Sequence, residues 1–358
     1  MPKNYVEIRI LIFAFVLFVL LLFFNSFEPS LYQIEQCNAI DGHNRLTCYK
    51  KFLESELRNG NEVNDLMKRW SPHVRYDSTM EVNPEDQNPL ITNCHAFMHA
   101  AGDIVAERHA DNPEMALSFC NNECFSACTE SVVSRMSYLY GYEDSKINQI
   151  VDICLNKSLS HCIDGAGHAY FNKYVFDIIK LHDALEEETY PRFNNWDVGN
   201  LSLAFEACEK YGTRCYLSLA HSIYIYFHFN DHNWTKGIEW CNKLDNHKQQ
   251  CLELFVFTLG AGEATPQLIK GNANEAISFC TEWIESLGET IGRQCYKGIG
   301  AFIMMFVDSL NKDSPLLKKE MAYLASLCKE VGKYSDDCYS GIKLKLGTYK
   351  EFGKYLPE

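Results

Sequence analysis

LSLAFEAC at 201–208 runs into EKYGTRCYLS at 209–218, and the reading of this stretch decides the fold. An alanine-rich, amphipathic segment ends in Cys208. A short polar loop follows, and Cys215 opens a second segment with tyrosine directly behind it. The same order recurs at Cys154 and Cys162 (CLNKSLSHCIDG), Cys241 and Cys251, Cys280 and Cys295 (ending CYKG), and Cys328 and Cys338 (ending CYSG). NEAISFC and MAYLASLC stand before Cys280 and Cys328 as LSLAFEAC stands before Cys208. The second cysteines follow one another at intervals of roughly 36 to 53 residues, near the unit length of helical-hairpin repeats. Apolar periodicity is helical throughout, and no alternating strand pattern persists.

A helical hairpin buries one face only and is marginal alone, whereas stacked neighbours share a continuous core. A bridge across each hairpin loop restricts the unfolded chain, and for loops of about ten residues that contributes about 2–3 kcal/mol. The expected fold is therefore all-α: a disulfide-stapled array of α-hairpins, solenoid-like, behind an N-terminal transmembrane helix. The A-x-x-x-C…C-Y-x-G pattern over residues 200 to 345 resembles cysteine-rich Sel-like repeats, relatives of the tetratricopeptide class. That resemblance implies an α-solenoid that binds a partner and implies no catalysis.

Upstream, Cys37 and Cys48 are expected to close a juxtamembrane helical hairpin. SPHVRYDSTMEVNPEDQNPL at 71–90 carries three prolines and reads as a linker. The organisation expected is a tail and signal anchor over 1–27, a hairpin and linker over 28–90, a Cys/His-rich helical region over 91–190 and cysteine-paired repeats over 191–358. From Ile10 to Phe24 every residue is apolar, and no charge appears before Glu28. The run to Phe27 spans about 27 Å as a helix, close to a hydrocarbon core of about 30 Å. It ends without an A-x-A-like cleavage site, which favours an uncleaved signal anchor. Lys3 and Arg9 precede the span while Glu28 and Glu35 follow it, so the N-terminus is expected in the cytoplasm and the bulk outside.

All 16 cysteines lie beyond the apolar run, as an oxidising compartment would favour. No C-x2-C pair occurs, against zinc-ribbon and thioredoxin readings. Sequons at Asn156, Asn200 and Asn233 permit glycosylation. The net charge of −14 and the absence of a basic patch argue against nucleic acid as a partner.

Residues 94–128 read CHAFMHAAGDIVAERHADNPEMALSFCNNECFSAC. His95, His99 and Asp103 stand four apart and share one helix face. CIDGAGHAYF at 162–171 opens another helix in which Asp164 and His168 are again four apart. Gly102 and Gly165 with their small neighbours would let these two helices approach face to face. Such contact would gather His95, His99 and His168, with Asp103 or Asp164 as the carboxylate, around a divalent metal such as zinc. The motifs C-H-x3-H-x2-G and C-x-D-G-x-G-H-A also resemble those of membrane-anchored bacterial and archaeal Cys/His-rich proteins, a group without an established activity. One departure is that CFSACTESV at 124–132 stands where that group would carry C-x-H-G.

Cys120, Cys124 and Cys128 are four apart. On one helix their Cβ atoms would be about 6 Å from one another, too far to bond. Cys94 is the fourth member, and three pairings remain open. His228 and His232 repeat the i, i+4 spacing but read as surface residues at a helix end. Tyr-rich SYLYGYE at 137–143 reads as helix packing and a turn, and Glu186–Glu188 as a solvated helix end. H-E-x-x-H, G-x-S-x-G and phosphate-binding glycine loops are absent. Three functions compete. The leading expectation is a membrane-anchored helical-repeat protein that binds or scaffolds a protein or peptide. The second is a metal-dependent enzyme or metal-binding protein using His95, His99 and His168. The third is thiol chemistry at Cys120, Cys124 and Cys128.

Overall fold

A computed structural model describes residues 29–40, 42–76, 92–175, 198–230, 232–345 and 352–356. The apolar run at 10–27, the linker residues 77–91 and Glu186–Glu188 lie outside the described residues. Among the described residues no helix is long and apolar enough to cross a membrane.

The described chain is all helical, with one isolated bridge between Tyr76 and Leu310. Its helices alternate between two layers. The outer layer holds α1 (Pro29–Asn38), α3 (Val63–Trp70), α5 (Pro113–Ser118), α7 (Asp144–Asn156), α9 (Val198–Cys208), α11 (Trp234–Asn242), α14 (Ala273–Leu287) and α16 (Leu317–Glu330). The inner layer holds α2 (Gly42–Arg58), α4 (Asn93–Arg108), α6 (Ala127–Leu139), α8 (Cys162–Val175), α10 (Thr213–Asn230), α12 (Lys248–Leu259), α15 (Glu289–Ser309) and α17 (Ser335–Lys345). A π-turn over Gly260–Ala264 carries α12 into the short α13 (Thr265–Ile269). Each inner helix packs on the next inner helix, from α2 through to α17. The outer helices cover their backs, and the apolar stripes of both layers form one core.

The cysteines explain the alternation. Cys37–Cys48, Cys120–Cys128, Cys154–Cys162, Cys208–Cys215, Cys241–Cys251, Cys280–Cys295 and Cys328–Cys338 each clip an outer helix, or the turn behind it, to the following inner helix, with Cys280 at mid-helix. The eighth bridge, Cys94–Cys124, differs: it ties the start of α4 to the turn before α6. No cysteine is free, so the thiol reading has no thiol to start from.

Cys120 and Cys128 bond because they do not share a helix. Cys124, Phe125 and Ser126 all adopt left-handed backbone, with φ of 48°, 61° and 55°. This is costly for residues with a Cβ and persists only where surrounding structure imposes it. Here the Cys94 bridge and the Asp308 carboxylate, which accepts from the Phe125 N–H, hold the turn in place.

Asp308 and Ser309, at the end of α15, also join the late part of the array to the early part. The Ser309 carbonyl accepts from Tyr76 N at 3.0 Å, and Asn311 N donates to the Tyr76 carbonyl at 2.7 Å. The Ser309 and Thr92 hydroxyls lie 2.7 Å apart, and Arg75 donates to the Asp308 carbonyl. Residues 71–76, expected to begin a linker, are thus docked, with Ser71, Val74 and Tyr76 buried. The inner face curls around a central space.

Candidate metal centre

Thr92 caps α4 by accepting from His95 N at 3.3 Å, which fixes the first turn that carries His95 and His99. The helix facing this turn is α6, not α8 as the small-residue pattern suggested. A Cβ at Gly102 would stand 2.6 Å from the Cys128 carbonyl oxygen, and one at Gly165 2.7 Å from the Glu130 carbonyl oxygen. Both glycines therefore seat their helices against α6, one on each side. This places Glu130, from the CTESV segment, between the histidines of α4 and α8.

The His95 Nδ1–H donates to the Cys124 carbonyl at 3.1 Å, so in the neutral ring Nε2 carries the lone pair. His99 Nε2 lies 3.0 Å from it and 3.9 Å from Glu130 Oε1. One donor atom from each of His95, His99 and Glu130 falls within 4.8 Å of the others. Ions bound at about 2.0–2.1 Å set neighbouring donors about 3–3.5 Å apart, so the wider gaps to Glu130 must close by about an ångström for an ion to bind.

His168 approaches the same carboxylate from α8, with Nε2 2.8 Å from Glu130 Oε1. Its Nδ1 is 2.8 Å from Ser222 Oγ, and that hydroxyl donates to the Ser218 carbonyl at 2.9 Å. The hydroxyl therefore accepts from Nδ1–H, and His168 donates from both nitrogens. Burial acts to lower its pKa, but the Glu130 charge more than reverses this and raises it. Burial likewise acts to raise the Glu130 carboxyl, yet His168, with His99 and His95 behind it, holds it well below the usual carboxylate range. Burial, reinforced by the His99 charge, pushes His95 down to about 3. Burial lowers His99 as well. Two neutral imidazoles and one ionised carboxylate are the protonation states a metal requires.

His95, Glu130 and His168 border a cavity of about 120 Å³ whose remaining wall is largely apolar, from Leu217, Phe257, Phe302 and Met305 among others. His221 lines it from α10, edge-on to His168 at 5.4 Å between ring centres. Its Nε2 is buried with no hydrogen-bond partner, and burial followed by the His168 charge pushes its pKa down to about 3.

The expected ligand set is therefore brought together in part. His95 and His99 converge, and His168 adjoins them through Glu130 instead of sharing one sphere. Asp103 shares their helix face but lies further along α4, where the Ser131 hydroxyl donates to it and burial raises its pKa. Asp164 lines the cavity but is held by His161 Nδ1 at 2.8 Å, Arg214 Nε at 2.9 Å and Ser218 Oγ at 3.2 Å. Against burial, His161 and then Arg214 lower its pKa. Glu130 and His221 had no local sequence signal, since neither stands at i, i+4 from another metal-ligating residue type.

His228 departs from its expected surface position. It is buried on α10, where its Nδ1 lies 3.0 Å from Glu263 Oε1, while His232 is exposed. No family model, no curated protein and no solved structure matches this chain.

Proposed function

We propose that the chain is a metal-dependent enzyme acting on a small molecule, held at the outer face of a membrane by residues 10–27. A divalent transition metal would be bound by His95 Nε2, His99 Nε2 and Glu130. His168 would act as a positioning residue that orients the carboxylate. The observation that carries this reading is the approach of those three donor atoms beside a mostly apolar cavity.

The surrounding chemistry supports it. The His95 tautomer is fixed by a backbone carbonyl, the kind of outer contact that orients metal-bound imidazoles. Only the proton on His99 Nε2 has to leave for an ion to enter. Two histidines and one carboxylate leave coordination positions for water or substrate, and a metal supplies Lewis acidity or an activated water there. His221, neutral and with its Nε2 unpartnered at the cavity wall, is placed to exchange a hydrogen bond with a bound substrate.

The concave partner-binding surface and the kinship with Sel-like repeats rest on the hairpin order alone. The curled inner face is occupied by this cavity, which favours a small substrate over a peptide. The test is equilibrium binding of zinc, iron(II) and manganese(II) to the full chain purified in detergent without metal. One ion per chain is expected, held at least a hundredfold more weakly in His99→Ala. Absence of stoichiometric binding by all three ions would overturn the proposal.

A further inference from the structure

The cavity opens past Phe125, His161, Leu217, Phe257 and Lys345 into a wider groove of about 740 Å³. Lys345, the last residue of α17, borders both spaces. Its ammonium lies 5.4 Å from the centre of the Phe125 ring. It makes no hydrogen bond or ion pair with any described residue, whereas the other charges around the cavity are matched. Glu130 is paired with His168, and Asp164 with Arg214 and His161. A cation left over in a partly apolar throat is costly unless something neutralises it. Burial lowers the pKa of Lys345, and the Asp164 charge offsets this only in part.

We infer that Lys345 is the anion-recognition residue of the cavity, and that the ligand is a small organic acid whose carboxylate meets Lys345 while its apolar body lies inward. Three features select this chemistry. The chain carries a net charge of −14, so a cation at this throat with no anionic partner among the described residues is a local exception that favours an anionic ligand. The inner wall, with Leu217, Phe257, Phe302 and Met305, suits a short hydrocarbon chain or a single ring. The ordering is directional, since an acid held at the throat points its other end toward His95, Glu130 and His221. The inference uses the same cavity as the proposed metal centre but does not require a metal.

The experiment is calorimetric titration of the full-length chain in detergent with benzoate, and with benzyl alcohol as a neutral probe of the same shape. Both are run with the metal-free protein, and metal content is measured separately. Benzoate is expected to bind at least tenfold more tightly than benzyl alcohol. Lys345→Met should remove that preference, Lys345→Arg should keep most of it, and neither should alter metal stoichiometry. Equal binding of acid and alcohol by the unaltered chain would overturn the inference, as would an undiminished preference in Lys345→Met. An intact Lys345-dependent preference in a protein that binds no metal would leave this inference standing and remove the metal reading.

Discussion

Two pairs of histidines with the same spacing, one on an inner helix and one at the end of another, meet different fates. His95 and His99 on α4 face a carboxylate from the neighbouring helix and stand beside a cavity. His228 and His232 on or beside α10 have a carboxylate near as well, Glu263, but the group is satisfied without an ion. The Tyr224 hydroxyl donates to Glu263 at 2.8 Å and His228 Nδ1 lies 3.0 Å from the same oxygen. Trp234 stacks over Tyr224 with ring centres 5.2 Å apart, and the exposed His232 packs edge-on against His228 and Trp234 instead of facing the carboxylate. A histidine pair at i, i+4 is thus only half of a site. The neighbouring helix decides whether the other half is a free donor or an occupied one.

The largest expected effect comes from removing each carboxylate in turn. Glu130→Gln should abolish metal binding, whereas Glu263→Gln should keep it and cost about 1.5–3 kcal/mol of stability through its lost charged hydrogen bonds. Metal analysis with denaturant unfolding separates the two. If Glu263→Gln also lost the ion, the two clusters would not be independent.

Disulfide removal is next. Replacing Cys94 and Cys124 together by serine opens a bridge of sequence separation 30, and the chain-entropy relation gives about 3.6 kcal/mol. The Cys241–Cys251 bridge, of separation 10, gives about 2.7 kcal/mol by the same relation. Only the first should weaken metal binding, because the Cys124 carbonyl fixes the His95 ring. Equal metal affinity in both double variants would break that link.

A smaller effect follows from the tight helix contacts. Gly165→Ala pushes α8 from the Glu130 backbone, and Gly341→Ala pushes α17 from the Lys297 carbonyl. Each should cost about 1–3 kcal/mol by overpacking. Metal affinity should fall only for Gly165→Ala, read by competition with a chromophoric chelator.

The smallest effect is in pH. Burial lowers the pKa of both His95 and His99, so each resists protonation more than an ordinary imidazole as the solution is acidified through about 6.5. Zinc affinity should change by less than about threefold between pH 7.5 and 6.0, where two ordinary histidines would lose about tenfold or more through proton competition. A tenfold loss would mean that the pair is not shielded as described.

Much of the fold was legible because helix pairing through nearby cysteines is a local property. Cys208 and Cys215 are joined by a seven-residue separation, and the order of helix, cysteine and loop appears in the chain itself. Glu130 was not legible, since nothing in CFSACTESV shows that α6 lies between α4 and α8. The pairing of Cys120 with Cys128 was hidden for a related reason. It depends on three left-handed residues imposed by Asp308, which is distant in sequence. Lys345 enters the cavity by the same kind of long-range closure. His95 and His99 were visible from their spacing, but so were His228 and His232, and only the surrounding helices tell them apart.

X-ray absorption at the edge of the bound metal tests the central claim most directly. The account predicts a first shell of nitrogen and oxygen at about 2.0–2.2 Å, with the outer-shell signature of two imidazoles that falls to one in His99→Ala and is unchanged in His228→Ala. A sulfur shell near 2.3 Å, or an imidazole signal indifferent to His99, would contradict it.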